Sequence, residues 1–377
     1  MPADLPDITI PADLLPRDGR FGCGPSKVRD DAVHELAAAA HEYLGTSHRQ
    51  AGVRFVVAAL RNGIAEMLSL PDGYEVVLGN GGTTSFWDAA TFGLLHERSQ
   101  HLSFGEFSAK FAKAVASAPH LGEPEVIESP AGTCPVAVGR SGIDAYALTH
   151  NETSTGVMTT LTRPQGADDD ALVLVDATSA AGGLRFDPEE VDVYYFAPQK
   201  CLASDGGLWL AACSPSAIER IEKLAASDRW MPASLDLGIA LENSRKDQTY
   251  NTPALATLFL AVQQVDWVNG NGGLEWAAGR CDRSAELMYG WAERSAYATP
   301  FVTDPAIRSR VVATIDLDET VEALTVSAVL RRNGIVDTES YRKLGRNQLR
   351  IALFPAIDPD DVQALCACID HVVTHLT

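Results

Sequence analysis

Short apolar runs, EVVLG (75–79), ALVLVD (171–176) and VDVYYFA (191–197), alternate with helix-like stretches, and this alternation restricts the fold more than any other feature of the chain. A strand without a polar face has to be covered on both sides. Strands of this kind joined by helical crossovers build a mostly parallel sheet with helices on both faces, so the fold class is α/β.

The 377 residues exceed one small domain, and two are expected. Helical patterns run from Asp31 to Tyr43 and from Val53 to Leu68, and 266–290 reads as one long helix. Beyond it, VVATIDL (311–317) and QLRIALF (348–354) have the pattern of strands in a smaller α+β unit. These features divide the chain into a large domain over 21–265 and a small C-terminal α+β domain over 266–377. They are preceded by an arm, 1–20, that holds four of the 20 prolines and is expected to lie extended over the body or over a partner subunit.

Composition then removes several classes of function. No apolar run reaches the roughly 18 to 20 residues that cross a bilayer, and the first residues lack the basic and apolar regions of a signal peptide, so a cytoplasmic protein without a membrane partner is expected. A formal net charge of -20 argues against nucleic acid as a partner, and any anionic ligand must be met by a local group of cations. The seven cysteines, Cys23, Cys134, Cys201, Cys213, Cys281, Cys366 and Cys368, are scattered without CxxC spacing, so neither a disulfide framework nor a metal site is expected. The acidic run ADDD (167–170) reads as a solvated loop.

Three segments carry the chemistry. In LGNGGTTSFWDAATFGL (78–94) a strand ends in a glycine-rich turn and a helix begins near Thr83, which offers backbone N–H groups and the hydroxyls of Thr83, Thr84 and Ser85 to a phosphate. Alone it is equally a plain strand-to-helix connection, since it is neither GxxxxGK[ST] nor GxGxxG. In ALVLVDATSAAG (171–182) the strand ends in Asp176, at the sheet edge where open α/β folds bind ligands, although an Asp there also serves as a helix cap. In VYYFAPQKCLASDGGLWLAA (193–212) Lys200 lies between two apolar strands, where an ammonium is costly to bury unless its charge is lost. A Schiff base removes that charge by chemistry. A phosphate cradle, a carboxylate that keeps a pyridine nitrogen protonated and a lysine amine are together the set that pyridoxal 5′-phosphate (PLP) needs, bound covalently on Lys200.

Eight motifs, FGCGPSKV (21–28), TSHRQ (46–50), GNGGTTSFWDAA (79–90), HNETSTG (150–156), VDATSAAG (175–182), APQK (197–200), YNTPA (250–254) and NQLRIALF (347–354), occur in an order and over a span in which the chain resembles the phosphoserine aminotransferases of actinobacterial type. The resemblance implies a fold type I PLP-dependent transferase of class V, with a mostly parallel seven-stranded sheet in the large domain. It also implies a homodimer with shared active sites that moves the amino group of glutamate to 3-phosphohydroxypyruvate in serine biosynthesis. It leaves open 4-phosphohydroxythreonine as a further substrate in pyridoxine biosynthesis.

By the same resemblance Lys200 and Asp176 are the catalytic residues. Gly82 and Thr83 bind the cofactor phosphate, Phe107 stacks on the ring where many relatives have Trp, Thr153 bonds the phenolic oxygen, and Gln199 contacts the cofactor. Gln199 further points to aminotransfer, because desulfurases and kynureninases of the group carry His there. Asn251 and Thr252 reach the phosphate of the neighbouring subunit, or cap a helix starting at Pro253, or both. Substrate binding falls to Arg49, to His48, to Arg350 for the α-carboxylate, and to the loop cations Arg342, Lys343 and Arg346, which are otherwise a solvated basic loop. Two further readings compete. An alanine/serine:glyoxylate or pyruvate aminotransferase of the same fold has no need of several distal cations, and a catalytically silent PLP-binding regulator has no need of Lys200, Asp176 and Arg350 together.

Overall fold

A computed structural model describes residues 5–376. Helices α1 (Asp30–Tyr43) and α2 (Ala51–Met67) lead into β1 (Glu75–Asn80), α3 (Thr83–Gly93), β2 (Ser99–Ser103), α4 (Glu106–Ala116), β3 (Glu125–Glu128) and β4 (Ala145–Thr149). A short ribbon, β5 (Asn151–Glu152) and β6 (Val157–Met158), is followed by β7 (Leu172–Asp176), β8 (Val193–Phe196) and β9 (Leu208–Cys213). Then come α5 (Pro215–Ala225), α6 (Leu237–Ser244), α7 (Leu255–Gly270), α8 (Gly273–Arg294), β10 (Ala298–Pro300), β11 (Val312–Leu317), α9 (Ala323–Arg332), β12 (Gln348–Ala352) and α10 (Pro359–Leu376).

The apolar runs form the centre of a seven-stranded sheet in the order β1-β9-β8-β7-β4-β2-β3. Only β9 runs against its neighbours, and the other pairings are parallel. Every residue of β7 is buried, and its side chains alternate between two cores. Val173 and Val175 pack in one with Leu60 of α2 and Leu258 of α7, while Leu172 and Leu174 pack in the other with Phe86 of α3 and Ile218 of α5. This two-sided burial is the physical reason the strand sequence carries no polar alternation.

A second, antiparallel sheet, β10-β11-β12, includes the strands expected over 311–317 and 348–354. The arm packs on this part of its own chain: Ile8 and Ile10 are buried, Asn333 exchanges hydrogen bonds with both, and the Arg17 amide donates to Asp361. Residues 1–4 of the expected arm lie outside the described residues. The single helix expected over 266–290 is a correction. Two helices meet there, because the segment Asn269 to Gly273 holds Gly272 at φ 118° and Gly273 at φ 68°, a backbone that a continuous helix cannot adopt. Among the described residues no helix is long and apolar enough to cross a membrane.

Candidate active site

The C-terminal edges of β4, β7 and β8 and the N-terminal ends of α3 and α4 surround a cavity of about 370 Å³. Gly82, Thr83, Phe107, Thr153, Asp176, Gln199 and Lys200, seven of the residues singled out from the sequence, all line it. This is the edge at which open α/β sheets present ligand sites, since the strand ends and helix N-termini leave backbone groups unpaired there.

Lys200 follows β8 and is buried, its Nζ donating to the Cys23 carbonyl at 2.5 Å. Burial, with the Arg350 charge as a further like-signed neighbour, brings its ammonium pKa down to about 8. Gly24 makes room for it: a Cβ there would stand 2.0 Å from the lysine Nζ, and the backbone is at φ 139°. Asp176 ends β7, and burial raises its carboxyl to about 6 against the opposing hydrogen bond from the Thr178 amide at 2.9 Å. A carboxylate whose charge is made costly by burial gains from a cationic partner.

Around this pair the hydroxyls are tied in place. Thr83 and Thr178 share a hydrogen bond of 2.7 Å, and Thr153 and Asn151 both donate to the Ser179 hydroxyl at 2.8 Å. The Phe107 ring centroid is 6.0 Å from the Lys200 amine. Gln199 Oε1 and Asn151 Oδ1 are buried on the cavity wall without hydrogen-bond partners among the described residues, as expected of groups that serve a ligand. A helix N-terminus with hydroxyls for a phosphate, a buried carboxylate for a ring nitrogen, an aromatic face and a lysine amine fit PLP.

Other expected site residues lie elsewhere on the chain. His48 and Arg49, before α2, are joined to the 246–252 segment: His48 Nδ1 is 3.2 Å from Thr252 Oγ1, and Arg49 donates to Gln248 at 2.9 Å. Asn251 and Thr252 are exposed there, and neither caps a helix, since α7 starts at Leu255 with Ala254 as its cap residue. That part of the expectation is corrected. None of the four lines the cavity of its own chain.

Of the loop cations, Arg346 is committed to Asp316, with its shortest contact at 2.5 Å, and Lys343 is paired with Glu106. Arg342 is exposed and without a hydrogen bond or ion pair among the described residues. Arg350 on β12 donates a long 3.4 Å bond to the carbonyl of Thr153, a residue of the cavity lining, with its guanidinium 5.2 Å from the Tyr341 ring and its Nε buried and without a hydrogen-bond partner among the described residues. Sequence reasoning did not single out Gly24, Trp87, Asn151, Thr178, Ser179 or Tyr341. Most lie inside the quoted motifs, but only folding brings Gly24 to Lys200, and Tyr341 carries no local signal.

The family model for aminotransferase class-V matches residues 140–340. The phosphoserine aminotransferase of Nocardioides sp. is 60% identical over 370 residues, covering 98% of this chain and 99% of the relative. That of Rhodococcus jostii is 58% identical over 367 residues, covering 97% and 98%. The crystal structure of a phosphoserine aminotransferase from Cytophaga hutchinsonii superposes with a TM-score of 0.86 at 23% identity, covering 94% of this chain and 99% of that one, and so shares the fold. The chain is a class-V aminotransferase, a PLP-dependent transaminase with the fold of type I. Within that class the chain belongs to the phosphoserine aminotransferase family.

Proposed function

We propose that the protein transfers the amino group of glutamate reversibly to 3-phosphohydroxypyruvate, giving O-phosphoserine and 2-oxoglutarate, the step this family performs in serine biosynthesis. The observation that carries the reading is the meeting, in one cavity, of a buried lysine amine, a buried strand-end carboxylate and a hydroxyl-lined helix N-terminus in a member of this family. Glutamate alone should shift the visible absorbance of the resting enzyme and release one equivalent of 2-oxoglutarate, and later addition of 3-phosphohydroxypyruvate should restore the spectrum. No shift with glutamate would overturn the reading. In this account 21–265 is the cofactor-binding domain and 266–377 the smaller one.

Bound PLP supplies an electron sink for charge left at the substrate α-carbon and carries the amino group between the two half-reactions. The remaining work belongs to the chain. Backbone N–H groups at Gly82 and Thr83 hold the phosphate at the start of α3, where the helix dipole favours an anion. Asp176 keeps a proton on the ring nitrogen by its charge. Lys200 is the residue that links the cofactor, and its freed Nζ, near neutrality in pKa, removes a proton from the α-carbon and returns one as acid. Arg350 grips the α-carboxylate with a planar fork.

We assign the distal anion, the glutamate side-chain carboxylate or the keto-acid phosphate, to Arg49, assisted by His48 and Arg342. Losing a charge-assisted hydrogen bond to such an anion is expected to cost about 1.5 to 3 kcal/mol, or roughly ten- to a hundredfold in kcat/KM. Arg49→Ala and Arg350→Ala should both impair glutamate. Alanine as donor separates them, because it has an α-carboxylate and no distal anion: its slow rate should fall further in Arg350→Ala and change little in Arg49→Ala. Equal damage to alanine and glutamate in Arg49→Ala would favour the glyoxylate or pyruvate aminotransferases.

A homodimer with shared sites follows from the same residues. Asn251, Thr252, His48 and Arg49 group outside their own cavity, at a surface with exposed Phe55 (74%) and Tyr250 (47%), which suits completion of a partner's site. Mixing inactive Lys200→Ala chains with inactive Thr252→Asp chains should restore about a quarter of wild-type activity, since random exchange leaves one undamaged site in half of the dimers. Verified exchange without recovered activity would refute shared sites.

A further inference from the structure

Glu152 of β5 has no exposed surface and takes no part in the roles above. Its Oε2 accepts the backbone N–H groups of Phe107 (3.1 Å) and Ser108 (2.9 Å) and the Ser108 hydroxyl (2.9 Å). Its Oε1 accepts the amide (3.1 Å) and hydroxyl (2.6 Å) of Ser154, and that hydroxyl in turn accepts the Glu106 amide at 3.0 Å. The free amides of the first turn of α4 are thus answered from 152 and 154, because the cap residue, Gly105, has no side chain. A buried carboxylate is tolerated when it is fully hydrogen-bonded and faces the positive end of a helix, and both conditions hold.

The carboxylate ties together two chain segments that both line the cavity. The turn it caps carries Phe107, and its chain neighbours Asn151 and Thr153 line the same cavity. Gly105 gives a second, independent sign of this fit. Its φ of 179° is extended backbone open to any residue, yet a Cβ there would stand 2.4 Å from Cδ and Cγ of Glu152. The glycine is required by the Glu152 and Ser154 side chains and not by the backbone.

We propose that Glu152 is a positioning residue of the aminotransferase reaction: its buried carboxylate locks the first turn of α4, and with it the Phe107 ring, against the wall formed by Asn151 and Thr153. The inference rests on the PLP reading for its consequence in catalysis and on the structure alone for the lock.

Glu152→Gln keeps the shape but presents an amide N–H₂ to at least one of these donors. In the cofactor-free variant the amides of Phe107 and Ser108 should exchange with deuterium about tenfold faster or more, as local opening becomes easier. In the PLP-loaded variant kcat per bound cofactor should fall roughly tenfold or more while KM for glutamate changes little, and the visible circular dichroism of the bound cofactor should weaken. Gly105→Ala, which displaces the carboxylate sterically, should reproduce this pattern. A lowered Tm with unchanged kcat and unchanged cofactor dichroism would make Glu152 merely structural and overturn the proposal, as would unchanged amide exchange. If neither variant folds, Ser154→Ala removes one donor to Oε1 and the bridge to Glu106, and decides by the same readouts. If the wild-type protein takes up no PLP, the proposed function fails, while amide exchange in the cofactor-free protein still decides the lock.

Discussion

Lys200→Ala is expected to lose on the order of 10⁴-fold or more in turnover, because under the proposed function one amine would both link the cofactor and move the α-proton. Borohydride reduction of the resting wild-type enzyme should fix a phosphopyridoxyl mass on the peptide holding Lys200, and a label on another lysine would remove the central assignment. Two observations support the expectation. Among the described residues Lys200 is the one lysine on the cavity wall, and burial brings its pKa down to about 8. At pH 8 about half of such an amine is neutral and nucleophilic, against about 0.3% for a lysine of ordinary pKa.

Asp176→Asn should keep the fold and lose at least about a hundredfold in activity, since an amide cannot hold the ring nitrogen protonated and charge at the α-carbon is then poorly accepted. Near-normal turnover would take Asp176 out of its role. The cofactor-free protein should respond in the opposite direction. Because burial raises the carboxyl from 3.8 to about 6, the folded state holds its proton more tightly than the unfolded chain. The stability contributed by the protonated group is complete below pH 3.8 and lost as the pH rises through about 6. Above that window the buried charge is a cost on the order of 1 to 3 kcal/mol, which the neutral amide avoids. Cofactor-free Asp176→Asn should therefore melt at a higher temperature than wild type at pH 7.5, with the gain shrinking towards pH 4. An unchanged or lower Tm at pH 7.5 would show that the Thr178 hydrogen bond outweighs burial.

The two results belong together. Both outcomes together would mark Asp176 as a carboxylate placed for a bound cation. Lys200 is likewise a group whose charged form is disfavoured by burial.

The amino-acid sequence by itself determined the parts whose signals are local. Continuous apolar runs demanded a sheet covered on both faces, and each chemical residue was legible where such a run stopped: Asp176 at the end of β7, Lys200 just past β8, Gly82 and Thr83 between β1 and α3. Burial and strand ends are readable within about ten residues, so these assignments needed no partner from elsewhere in the chain. The break at Gly272 was present in the sequence too, but the apolar spacing on either side of it mimicked one helix.

Only the tertiary structure decided which distant segments meet. Nothing near Lys200 announces that Cys23 and Gly24 will press against its amine, or that a glutamate in β5 will cap α4. Nor does the basic loop before β12 show that Arg346 is held by Asp316 and Lys343 by Glu106. His48 and Arg49 read as substrate-binding residues, and only the fold shows that within one chain they join Gln248 and Thr252 and not the cavity of Lys200. Hydrophobic period fixes which face of an element is buried, but not the register at which two elements far apart in sequence pack; side-chain contacts are set by that register.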